Sequence, residues 1–174
     1  IIEMACRYHE FSGWLHQDTG RCEQAMTCTN RALDLAAELD APHLVAYLRM
    51  RKSNIATDMG DTGLAIRYAN AALSVEDSLP PRLKAVVLRQ QANSHVALGN
   101  THECEAAISE ALELAAEDDP EGHELAGYCT TDTWRWKPAP AGCSWVNPNE
   151  PSRRSARLMT VGRRSCAGTD PWPS

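Results

Sequence analysis

Through the first 118 residues of the chain, apolar side chains return at steps of three and four, which places them on one face of a helix that turns every 3.6 residues. Glycine and proline interrupt this pattern at regular places. It divides into segments near 2–18, 21–39, 42–59, 62–78, 81–98 and 101–118, with a seventh opening at about 120. No stretch alternates strictly between apolar and polar, the mark of a half-buried strand. The pattern predicts an all-α fold.

Laying the chain on itself reveals why the breaks are regular. Gly20, Gly60 and Gly99 stand 40 and then 39 residues apart, and their surroundings agree. Five residues past each glycine come Ala25, Ala65 and Cys104; twelve and thirteen past come Ala32-Leu33, Ala72-Leu73 and Ala111-Leu112. Each glycine lies between two helical patterns, so the unit is helix, turn, helix, used three times. Pro42, Pro80-Pro81 and Pro120 mark the other joint, where a first-turn proline removes no hydrogen bond and opens the next helix. A single helix pair cannot bury its apolar face, so such units stack and share a core. Leu33, Leu73 and Leu112 are expected to fill that core, and Ala32, Ala72 and Ala111 to mark the close crossing of paired helices.

The glycine, the alanine at plus twelve and the proline near the end of each unit resemble the tetratricopeptide pattern, although the usual period is about 34 residues. The stretches Phe11-Ser12-Gly13-Trp14-Leu15-His16-Gln17-Asp18, Arg31-Ala32-Leu33-Asp34-Leu35-Ala36 and Arg51-Lys52-Ser53-Asn54-Ile55-Ala56 further resemble the C-terminal repeat region of actinobacterial Xre-type helix-turn-helix transcriptional regulators. The likeness covers roughly residues 1–130. It implies helical hairpins forming a short right-handed solenoid, preceded in such regulators by a DNA-binding domain of which this chain carries no trace. It also implies a groove lined by the first helix of each pair. The family's ligand-facing positions, six and three before the glycine, map to Trp14 and Gln17, Asn54 and Thr57, Asn93 and Val96. An asparagine amide both donates and accepts, so it can pair with the backbone of an extended peptide without reading its sequence.

Composition changes abruptly after residue 129. Four of the five tryptophans and six of the ten prolines lie beyond it, and helical periodicity ends. Residues 1–129 hold 10 Lys/Arg against 20 Asp/Glu, whereas residues 130–174 hold 7 against 3. The genetic code offers a reading of this tail. Because tryptophan has one codon, stepping the frame back by one base turns Trp136-Lys137 into Glu and Trp145-Val146 into Gly. Carried from Ser144 to Pro151, the shifted frame permits Leu-Gly-Glu-Pro-Glu-Arg-Ala, a repeat turn with a small residue five past its glycine. The expectation is therefore a helical repeat array over 1–129 and an irregular or disordered tail over 130–174 produced by a frameshift. Loss of the next repeat would leave an uncapped end, through which self-association is expected.

The formal charge of −6 disfavours contact with nucleic acid or an anionic membrane surface. No apolar run reaches the length of a membrane span, and seven cysteines without paired spacing suggest reduced thiols in a cytoplasmic setting. His9 and His16 with Cys6 and Cys22 could be drawn as a metal site, but repeat packing accounts for them more simply. No cysteine or serine has an identifiable activating base, and no glycine-rich loop follows a strand. The chain reads as non-enzymatic, without cofactor or metal. Its expected partner is a protein or peptide bound through Trp14, Gln17, Asn54, Thr57 and Asn93, in the sensing or oligomerisation part of a bacterial regulator. The alternatives are a structural dimerisation or adaptor module without ligand, or a non-functional truncated product.

Overall fold

A computed structural model describes residues 1–75, 79–117, 126, 135–139 and 142–146. The helices are α1 (Ile2–Asp18), α2 (Cys22–Glu38), α3 (Pro42–Asp58), α4 (Thr62–Leu73), α5 (Pro81–Leu98) and α6 (Thr101–Ala116). Each packs on its neighbours in the chain, and α3 also packs directly on α5. The body of the structure is therefore helical. A short antiparallel hairpin follows, β1 (Arg135–Ala139) with β2 (Gly142–Val146), in a register that sets Trp136 opposite Trp145. This departs from the expectation of an irregular tail over those ten residues. Each strand carries one tryptophan, and two residues separate them, the spacing of a tight hairpin. The segment expected to open a seventh helix at about 120 lies outside the described residues.

The turns explain the spacing of the glycines. Gly20, Gly60 and Gly99 all adopt the left-handed conformation, with φ of 77°, 78° and 77°. At each, the glycine N–H donates to the carbonyl three residues back, and the next residue reaches the carbonyl five back. The pairs are Gly20 to Gln17 and Arg21 to His16, Gly60 to Thr57 and Asp61 to Ala56, and Gly99 to Val96 and Asn100 to His95. This is the Schellman arrangement, which satisfies the last carbonyls of a helix and turns the chain within two or three residues. The joint between α2 and α3 uses the same geometry with Asp40, at φ 48°, in place of glycine. Aspartate is among the few residues that tolerate it. Pro42 and Pro81 open α3 and α5, and the Asp61 carboxylate accepts from the Leu64 N–H at 2.8 Å to cap α4.

Helix α4 is five residues shorter than its pattern predicts. It ends at Leu73, where the Ser74 N–H still reaches Asn70 O and the Ser74 hydroxyl donates to Ala71 O at 3.2 Å. A serine that bonds its own helix end competes with helix continuation, and β-branched Val75 adds little to propagate it.

Packing depends on small residues. Ala32, Ala72 and Ala111 are completely buried, as are Ala25, Ala65 and Cys104 at the other repeated position. At the α1 to α2 crossing the approach is tighter still: a Cβ built on Gly13 would stand 2.8 Å from Thr29 Oγ1 and 3.3 Å from Ala25 O. Leu33, Leu73 and Leu112 do not fill the core as expected. They are only partly buried and pack against its edge, while Leu48, Ile55, Leu83, Val86 and Val87 occupy its centre. The alanines bring the helices so close that the neighbouring leucine is displaced to the flank of the crossing.

Cys6, Cys28 and Cys104 form no disulfide, whereas Cys22 is disulfide-bonded, contrary to the expectation of reduced cysteines. No helix among the described residues is long and apolar enough to cross a membrane.

Two substitutions test this account by urea denaturation. Ala72→Leu is expected to overpack its crossing and lower stability by about 1–3 kcal/mol. Gly60→Ala meets no atom within 4 Å, so its expected cost of about 1 kcal/mol comes from backbone conformation alone. An unchanged midpoint in either variant contradicts the corresponding argument.

Candidate functional site

The first helices of the three pairs, α1, α3 and α5, are joined along one face by side-chain amides and hydroxyls. Gln17 Nε2 on α1 donates to Asn54 Oδ1 on α3 and also to Asp58 Oδ2. Asn54 Nδ2 in turn donates to Gln90 Oε1 on α5 at 3.3 Å, and Asn93 Nδ2 donates to that same oxygen at 3.4 Å. The Gln90 Nε2 group returns to α3, reaching Thr57 Oγ1 at 3.2 Å and Ser53 Oγ at 3.4 Å. Beneath this layer Ser53 and Ser94 hydroxyls lie 3.4 Å apart, while Ser53 donates to Ala65 O and Ser94 to Gln90 O. A ladder of polar contacts therefore crosses three helices.

The structure brings four of the expected residues into this ladder: Gln17, Asn54, Thr57 and Asn93. Trp14 stands at its α1 end, partly exposed, with its indole stacked against Phe11 at a centroid distance of 6.3 Å. Val96 is exposed beyond the α5 end and makes no part of it. Trp14, Gln17 and Asn54 also line a shallow depression of about 270 Å³ together with Asp18, Arg51 and Asp58.

Within that depression two polar atoms are enclosed without a hydrogen-bond partner, the acceptor Gln17 Oε1 and the donor Arg51 Nη2. Buried polar atoms ordinarily find partners, so an enclosed acceptor and an enclosed donor on two residues that line one depression are exceptions to the rule. Asp58 is exposed as a residue, yet its carboxyl is raised above the usual range. Loss of hydration is the main cause, opposed by the hydrogen bond from Gln17 and the charge of Arg51.

Sequence reading missed Gln90, Arg51 and the two aspartates. Gln90 is only 4% exposed, and it makes more of the ladder's contacts than any residue that was anticipated. The signal was available, because Phe11, Arg51 and Gln90 stand nine before the repeated glycines, one step further along the stripe that gave Trp14, Asn54 and Asn93. Asp18 and Asp58 are likewise equivalent, two before Gly20 and Gly60. The histidine and cysteine set considered for a metal does not converge: among the described residues no group of three or more His, Cys, Asp or Glu is placed to hold an ion.

The raised carboxyl of Asp58 gives the site a pH signature. A folded-state value above the unfolded one means that the folded chain holds its proton longer, so the penalty for ionising Asp58 appears as pH rises through the unfolded carboxylate range and on through the raised value. Asp58→Asn keeps an acceptor for Gln17 and removes the titration. The variant is expected to gain stability relative to the parent as pH rises through the usual carboxylate range and beyond it, read from urea midpoints; a difference independent of pH contradicts the assignment.

Comparison with family models, curated proteins and solved structures gives no match to this chain.

Proposed function

We propose that this chain is a non-catalytic helical repeat domain that binds an extended segment of a protein or peptide along the α1, α3 and α5 face. The observation that carries the reading is that Arg51 and Gln17, whose Nη2 and Oε1 lack partners, line one depression together with Trp14. An extended backbone supplies one N–H and one C=O per residue, and an aromatic side chain offers apolar area beside them. The amides of Asn54 and Asn93 lie further along the same face, where they engage Gln17 and Gln90.

The repeated glycine turns and buried alanines support a tetratricopeptide-like arrangement, and with it the sensing part of an Xre-type regulator acting without cofactor. On this reading residues 130–174 stand outside the array. A second reading is a structural adaptor without ligand, favoured by the fact that the ladder already satisfies most of its own groups. Binding would then be absent, and the ladder would serve only to fix helix spacing.

The two readings separate in a titration of the ¹⁵N-labelled full chain with a random-sequence pool of extended peptides. Under the binding reading the side-chain amide signals of Gln17, Asn54 and Asn93 move, and peptides selected from the pool lose affinity by about tenfold or more in Asn54→Ala combined with Asn93→Ala. Signals that stay in place, or selected peptides indifferent to the double variant, reject it in favour of the adaptor.

A further inference from the structure

The step from α1 to α3 differs from the step from α3 to α5, although equivalent positions form both. Counted from the glycines, Trp14 and Gln17 on α1 correspond to Asn54 and Thr57 on α3, and Arg51 on α3 corresponds to Gln90 on α5. At the second step Gln90 bridges the two helices: its oxygen accepts from Asn54 at 3.3 Å and its nitrogen donates to Thr57 at 3.2 Å. At the first step that role falls to Arg51, which has donors and no acceptor, and an indole replaces the asparagine amide. Gln17 Oε1 and Arg51 Nη2 stay without partners, and a depression of about 270 Å³ remains. Its lining belongs to two described helices, so the opening arises from the residues at this step.

The chemistry left in the depression is unbalanced. Both hydrogens of the Gln17 amide are committed, to Asn54 and to Asp58, so what Gln17 still offers is an acceptor. Asp18 and Asp58 line the same space against Arg51, which leaves one negative charge in excess, two carboxylates to one guanidinium. Loss of hydration raises the Asp58 carboxyl, and the Arg51 charge does not offset it. Trp14 adds an aromatic ring, 46% exposed and stacked on Phe11 with the two planes 17° apart. An acceptor, two carboxylates and an indole are together the recognition elements for a cation that carries several N–H donors. A carboxylate in this place would meet two charges of its own sign for one opposite.

We propose that the depression is a specificity pocket for an arginine side chain of the bound segment, received by Trp14, Gln17, Asp18 and Asp58. The inference rests on the reading of this face as a peptide-binding surface and adds to it a preference for one side chain. Arginine fits better than lysine, because a planar guanidinium stacks on an indole and directs its five N–H groups sideways to Gln17 Oε1 and the carboxylates at once. Arg51 limits the strength of the pocket without reversing its sign. Over longer distances residues 1–129, with 20 Asp/Glu against 10 Lys/Arg, favour the approach of a basic segment.

The test uses two end-capped pentapeptides, one with arginine flanked by two glycines on each side, the other with citrulline, which keeps the shape and removes the charge. Each is titrated into the ¹⁵N-labelled full chain. The arginine peptide is expected to move the Trp14 indole N–H and the Gln17 amide, and to bind at least about fivefold more tightly than the citrulline peptide. Asp18→Asn combined with Asp58→Asn should shrink that preference below about twofold. Asp18 is exposed, so Asp18→Asn alone, expected to remove part of the preference, serves if the double variant shifts the urea midpoint. Equal binding of the two peptides, with the Asn54 and Asn93 amides moving in both, overturns the pocket and leaves the extended-segment reading intact. Arginine-dependent shifts confined to Trp14 and Gln17 support the pocket and count against pairing along the rest of the face. A preference that survives the double variant, or the absence of any shift with either peptide, overturns the assignment.

Discussion

The distance of closest approach between paired helices is the constraint on which the rest of this structure depends. Where α1 crosses α2, Gly13 leaves so little room that even a methyl group would press on the Thr29 hydroxyl, and Thr29 itself turns that hydroxyl back to Ala25 O at 2.8 Å. Buried alanines repeat the approach in the later pairs. Close approach gains dispersion contacts along the whole crossing, but it also fixes how soon the chain must reverse. A turn of two or three residues joins helices that are nearly touching, and only a left-handed residue closes such a turn with all carbonyls satisfied. The small residues and the glycines are thus two consequences of one geometry.

That geometry also determines where polar groups can live inside the fold. A buried amide left without partners costs more than its bonds return, so an isolated Gln90 in the core would be a defect. It is tolerated because α3 and α5 lie close enough for Asn54, Thr57 and Ser53 to reach it from the neighbouring helix while Asn93 reaches it from its own. Ser53 and Ser94, equally buried, find carbonyls in the same way. Among the described residues, satisfaction is incomplete at Gln17 Oε1 and Arg51 Nη2, and also at His16 Nδ1, Arg82 Nε and His95 Nδ1.

Much of this could be read from the residues in order. A left-handed turn restricts residue type severely, so Gly20, Gly60 and Gly99 announced three turns, and helix ends followed within a residue or two except in α4. There the end depends on Ser74 bonding backward, a choice made by one side chain. The leucines beside the alanines were misread because periodicity gives the face of a helix but not how close its neighbour comes. Gln90 escaped notice since a glutamine in a helix is usually at the surface; only a partner on another helix makes it a core residue. The exposed stripe of Met4, Tyr8, Phe11 and Leu15 on α1 is instructive in the opposite sense. Its spacing is that of a buried seam, and nothing in the order of residues distinguishes it from the side that faces the fold, where Cys6 and Gly13 are inconspicuous because tight packing selects small side chains. Without a detectable relative, such choices rest on coordinates alone.

The ladder and the alanine crossings respond differently to deformation. A hydrogen bond is lost when its atoms separate by less than an ångström, whereas apolar surfaces can slide over one another at little cost. The stack is pinned along the edge where Gln17, Asn54 and Gln90 meet, while α2 and α4 are tied to it by single bonds to main-chain carbonyls, Cys6 to Ala32 O, Arg49 to Ala71 O and Ser53 to Ala65 O. Separating the first helices breaks bonds between side chains, whereas opening the α1–α2 or α3–α4 hairpin breaks a bond to a main-chain carbonyl.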